Sequence, residues 1–77
     1  MLEVISNALK NQDYYLCLYP YHLYIYHYVE ILSFNPDLII IKLKDRNIKV
    51  KGNDLLIKKM HAYELLIEGD IMGLYYE

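Results

Sequence analysis

Val50-Lys51-Gly52-Asn53-Asp54-Leu55-Leu56-Ile57 and Ile67-Glu68-Gly69-Asp70-Ile71-Met72-Gly73-Leu74 repeat one phrase: an apolar residue, a charged residue, a glycine, then a new apolar run. Alternation at a period of two puts every second side chain on one face of a sheet, and glycine permits the backbone geometry that ends or bends a strand. The phrase predicts an antiparallel β-meander, with turns at Gly52-Asn53-Asp54 and Gly69-Asp70.

Working back from there, Leu38 to Leu43 alternates Ile39, Ile41 and Leu43 on the inner side with Leu38, Ile40 and Lys42 on the outer. Asp45-Arg46-Asn47 turns the chain into Ile48 to Lys51, which makes this the strongest hairpin signal in the sequence. Asn35-Pro36-Asp37 marks the preceding turn, because Pro fixes φ and the flanking side chains can satisfy nearby backbone groups. From Tyr21 to Ile31 the odd positions Leu23, Ile25, Val29 and Ile31 are aliphatic, while Tyr24, Tyr26, Tyr28 and Glu30 occupy the even ones. The pattern reads as one strand with an aliphatic core face and a tyrosine row outside. Tyr14 to Tyr19 is a further strand, stopped by Pro20. In Met1 to Asp13, Leu2, Ile5 and Leu9 recur at helical spacing, and a short N-terminal helix is expected. The fold class is therefore all-β: about six strands in a small, curled or solenoid-like antiparallel sheet, one domain over 1–77, with residues 1–13 helical and 14–77 forming the meander.

Seventy-seven residues with one cysteine leave a marginal core and no internal disulfide, so a partner, including a second copy of the chain, is the natural supplement. Cys17 lies in an apolar run and is expected to be buried and inert, in a reducing compartment. No stretch has the roughly 18 apolar residues of a membrane span, and Met1-Leu2-Glu3-Val4-Ile5-Ser6 does not read as a secretory signal, so an intracellular protein without a direct membrane span is expected.

Net charge is −2, but Lys42, Lys44, Arg46, Lys49, Lys51, Lys58 and Lys59 cluster, while Glu64, Glu68, Asp70 and Glu77 close the chain. Cross-strand pairing between these two stretches is the simplest explanation. His22 and His27 differ in strand parity and His61 lies in a connection, so no metal site is expected. Ser6, Ser33 and Cys17 sit in no nucleophile motif, and Glu64 and Glu68, about 13 Å apart along a strand, are too far apart for a paired acid and base. Neither an enzyme nor a cofactor is expected. A stacking platform for single-stranded nucleic acid, with tyrosines beside Lys42, Lys44, Lys49 and Lys51, is the alternative; the acidic balance stands against it.

The succession Leu23-Tyr24-Ile25, Val29-Glu30-Ile31-Leu32-Ser33-Phe34, Leu38-Ile39-Ile40-Ile41, Ile48-Lys49-Val50-Lys51-Gly52, Leu55-Leu56-Ile57 and Glu64-Leu65-Leu66-Ile67-Glu68-Gly69 resembles the YabP/YqfC family of sporulation proteins, nearer its YqfC branch. Where that family often carries an Ile-Glu-Asn-His-like phrase, this chain has Ile25-Tyr26-His27-Tyr28. The resemblance implies a small non-enzymatic protein of endospore-forming Firmicutes. It would act in the mother-cell cytoplasm, or peripherally at the forespore membrane, with a multi-pass membrane partner of the spore programme. The binding residues expected are Tyr24, Tyr26 and Tyr28 as aromatic anchors, with Lys42, Lys44, Lys49 and Lys51 as a basic rim meeting an acidic surface or anionic lipid heads.

Overall fold

The computed structural model describes residues 14–77, and the helix expected over 1–13 lies outside them. Six antiparallel strands form one sheet: β1 (Tyr15–Tyr19), β2 (His22–Tyr26), β3 (Glu30–Asn35), β4 (Leu38–Lys42), β5 (Asn47–Met60) and β6 (Glu64–Tyr76). No helix occurs among the described residues. The order is β1-β2-β6-β5-β4-β3, so β3 to β6 make a meander while β2 joins it beside β6 rather than beside β3. Among the described residues the edges β1 and β3 do not pair, and the sheet stays open.

This order forces the sheet to fold over. Tyr26 lies beside Glu64, near the β5–β6 turn, whereas Glu30 lies beside Lys42 and, through it, Asn47 at the far end of β5. In a flat sheet the length of β5 alone would separate them by about 43 Å, while the link from Tyr26 to Glu30 spans about 14 Å at most. The two halves must therefore meet, and the link ties them together. His27 N–H donates to the carbonyl of Tyr63, Val29 N–H donates to that of Lys42 at 2.8 Å, and the Tyr28 hydroxyl donates to the carbonyl of His61 at 2.8 Å.

The fold line crosses β5 and β6 where the glycines lie. The turns expected at Gly52-Asn53-Asp54 and Gly69-Asp70 are bends within two long strands, not reversals, with pairing irregular between Asn53 and Leu56. Close approach of the two backbones is the reason. A Cβ on Gly52 would stand 2.2 Å from the carbonyl oxygen of Asp70, and Gly69, at φ 139°, would place one 2.8 Å from that of Asp54. The hairpin turns cap the bend from either side: Gly69 N–H bonds the carbonyl of Tyr21, Gly52 N–H that of Asp37, and Leu55 N–H that of Pro36.

Between the halves lies one core. Leu23, Ile25, Leu65 and Ile67 come from the β1-β2-β6 side, Ile39, Ile41, Leu43, Ile48 and Val50 from the β3-β4-β5 side, and Leu55 from the bend. The inner positions expected for 38–43, Ile39, Ile41 and Leu43, are all buried. Each fully buried Ile or Leu contributes about 1.5–3 kcal/mol relative to exposure.

The run from Tyr21 to Ile31 is not one strand. It breaks at His27, whose φ is 69°, and in the link Tyr28 and Val29 exchange sides, while Ile31 on β3 packs against the core as its odd position predicts. Tyr28 is consequently a core residue at 9% exposure, and Val29, expected inside, is 54% exposed. Tyr28 therefore leaves the set of outward anchors: a left-handed residue in the link turns its ring inward.

Candidate functional site: an aromatic outer face on the β2–β6 half

Opposite the core, the pairs Tyr26–Tyr15, Tyr26–Glu64, Tyr24–Cys17, Tyr24–Leu66 and His22–Glu68 lie on the outer face of one half of the sheet. Tyr15 stacks on Tyr26, with ring centroids 5.4 Å apart, and lies tilted against Tyr24 at 6.1 Å. The aromatic run continues through His27, 5.0 Å from Tyr26, to Tyr63, 5.1 Å from His27. Tyr24 and Tyr26 are thus half-buried and outward, as the alternation predicts. Cys17, expected to be buried, is half-buried on this face beside Tyr24, because β1 is an edge strand with a neighbour on one side only.

Carboxylates anchor the face. The Tyr24 hydroxyl donates to Glu64, and the Glu68 carboxylate meets His22 Nε2 at 3.1 Å and Lys58 Nζ at 2.8 Å. Partial burial, then the Glu64 hydrogen bond and charge, hold the Tyr24 hydroxyl far above its ordinary pKa of 10.0. The hydrogen bonds from Lys58 and His22 pull Glu68 below the ordinary carboxylate value. A hollow of about 330 Å³ opens beside them, lined by Tyr24, Lys59, His61, Glu64 and Leu66. The sequence offers Glu64 and Glu68 on one face, but not their partners, which depend on β2 lying against β6.

Of the four lysines expected as a basic rim, three lie away from the tyrosines. Lys42, Lys49 and Lys51 occupy the outer face of the other half, beyond the bend, with Ile40 and Tyr75 between them in register. Lys49 Nζ pairs with Glu77 at 3.1 Å, and Lys51 Nζ lies 5.3 Å from the centroid of the Tyr75 ring. Lys44 sits in the β4–β5 turn and lines an open hollow of about 470 Å³ with His27, Tyr28 and Val29 where the halves meet. Along β5, Lys49 stands ten residues from Lys59, which pairs with Leu66 in the tyrosine face, a contour of about 33 Å. Tyrosines and the Lys42–Lys49–Lys51 set therefore do not build one groove. Among the described residues Lys58 and Lys59 border the Tyr24 end of the aromatic face, and Lys44 lines the hollow at its Tyr63 end.

No group of three or more His, Cys, Asp or Glu residues that could hold a metal ion occurs among the described residues, and no described helix is long and apolar enough to cross a membrane. The model of the YabP family matches residues 20–77. The chain belongs to the YabP family. Membership suggests a sporulation-related protein, and the family is not known as one of enzymes. The match spans β2 to β6 and every core residue named above, so the folded-over sheet lies within the family region. No curated protein and no solved structure matches the chain.

Proposed function

We propose that this YabP-family protein is a non-enzymatic docking protein of spore development, working in the mother cell against a multi-pass membrane protein, with Tyr24 and Tyr26 as its contact anchors. The observation that carries this reading is the Tyr15–Tyr24–Tyr26 cluster, held outward on a rigid sheet and oriented by Glu64. Tyrosines fixed in this way offer large amphipathic contact area at low entropic cost, the composition typical of binding hot spots. On the other half, Lys42, Lys49 and Lys51 are placed to face an acidic partner surface or anionic lipid heads without sharing the tyrosine face.

The test is complementation in the endospore-forming organism that encodes the chain. With the gene deleted, heat-resistant spore yield falls and a wild-type copy restores it. A Tyr24→Ser/Tyr26→Ser copy that accumulates to the normal level leaves the yield at that of the deletion, and its fluorescent fusion leaves the membrane around the forespore. Full complementation by the double variant, or a wild-type fusion spread evenly through the cytoplasm, would overturn the reading.

A further inference from the structure

Among the described residues the sheet has four stretches that pair on one side only: β1, β3, the second half of β5 and the second half of β6. Open edges invite another strand, and proteins normally block them with charge, proline or bulges. β3 carries Glu30 and a bulge between Ile31 and Ser33, with Pro36 just beyond its end. The β5 stretch carries Lys58 and Lys59, the kind of charge that guards an edge. In β6, self-pairing of Ile71–Tyr76 would bring Asp70 opposite Glu77 of the second copy.

β1 carries no charge and no bulge within the strand, and Pro20 follows its end as Pro36 follows that of β3. It reads Tyr15-Leu16-Cys17-Leu18-Tyr19, without charge, proline or glycine, and it is a palindrome about Cys17. Antiparallel pairing with the same strand of a second copy sets Tyr15 opposite Tyr19, Leu16 opposite Leu18, and Cys17 opposite Cys17, so every residue meets its own kind. Leu18 is 57% exposed and Tyr19 55%, whereas Leu16 packs against the core. The pairing would lay the Leu16 of each copy beside the exposed Leu18 of the other and so extend the inner row across the dyad.

We propose that the chain forms a two-fold homodimer through β1, with the dyad at Cys17. A symmetric interface is self-complementary by construction, and this strand meets that requirement residue by residue. The two half-sheets then join into one eight-stranded layer, β5-β6-β2-β1 followed by its copy in reverse. The Tyr15–Tyr24–Tyr26 clusters of both copies share its outer face. The dimer does not depend on the docking role, and either can fail without the other.

Cys17 is the only cysteine and serves as the reporter. Across an antiparallel pair, facing Cα atoms lie about 4.5–5.5 Å apart, so a short bismaleimide should convert the full-length protein to one covalent dimer species. Equilibrium sedimentation should show a dimer under reducing conditions. Cys17→Ser should remain dimeric, and Leu18→Lys should stay folded by circular dichroism while raising the dimer Kd about tenfold or more. A monomer at every concentration, a dimer indifferent to Leu18→Lys, or a dimer that the bismaleimide cannot link would each overturn the proposal.

Discussion

The Tyr24 hydroxyl donates to the Glu64 carboxylate from forty residues away, across the β2–β6 pairing that the order of elements along the chain does not suggest. The bond fixes a half-buried ring of the outer face and adds a negative charge beside its oxygen. Both effects favour the neutral phenol, so the folded-state pKa of Tyr24 exceeds its unfolded value. Stability from this group is complete below pH 10 and is lost as pH rises through the higher folded value. Burial also raises Tyr14 and Tyr15, so in ultraviolet titration several tyrosines should ionise late with Tyr24 last, and Tyr24→Phe should delete that last step while costing roughly 1 kcal/mol at neutral pH. An unchanged titration in Tyr24→Phe would disprove the assignment.

Glu68 behaves in the opposite sense. Lys58 and His22 hold its pKa below the ordinary 4.5, so its contribution is present above that value and disappears as pH falls through the lowered one. Urea denaturation from pH 6 downward should show wild-type stability falling more steeply below pH 4.5 than that of Glu68→Gln. Asp45, lowered by the Tyr14 hydroxyl and by Arg46, should leave a residual slope in the variant.

The three glycines should separate cleanly. Gly52→Ala and Gly69→Ala press a methyl group against backbone at the bend, and Gly69 also has a left-handed φ, so each should cost roughly 2–3 kcal/mol in chemical denaturation. Gly73→Ala meets only the ring of the exposed Tyr75, which can swing away, and should cost under about 1 kcal/mol. Equal losses at all three positions would mean that the bend is not where the backbones are tightest.

Much of this fold is legible in local pattern. Ile39, Ile41, Leu43, Ile48 and Val50 are buried as their alternation predicts, because a hairpin with a short turn leaves its register little choice. The Lys49–Glu77 and Lys58–Glu68 pairs likewise follow from the basic stretch running beside the acidic one. What local pattern does not carry is the folding of the sheet. Gly-Asn-Asp and Gly-Asp spell turns in isolation, and only the pressure of β5 against β6 makes them bends. The placement of β2 beside β6 is equally non-local, and it is what gives Tyr24 and His22 their carboxylates and sends the Lys42–Lys49–Lys51 set to a different face.

Tyr28 and Tyr26, two residues apart, should respond differently. Tyr28→Ser empties a core position and frees the His61 carbonyl, at a cost of about 3 kcal/mol. Tyr26→Ser loses stacking on Tyr15 at an outward position and should cost about 1 kcal/mol. Thermal melts of the two variants side by side would show the inversion at His27 directly, and equal costs would argue for a continuous strand.

Docking through the tyrosine face is tested most directly by site-specific photo-cross-linking in sporulating cells. A benzoylphenylalanine replacing Tyr26 should give an adduct in the membrane fraction that is absent when the same group replaces Tyr28 and absent from unirradiated cells. An adduct formed only from position 49 on the opposite face, or none from position 26, would contradict the account.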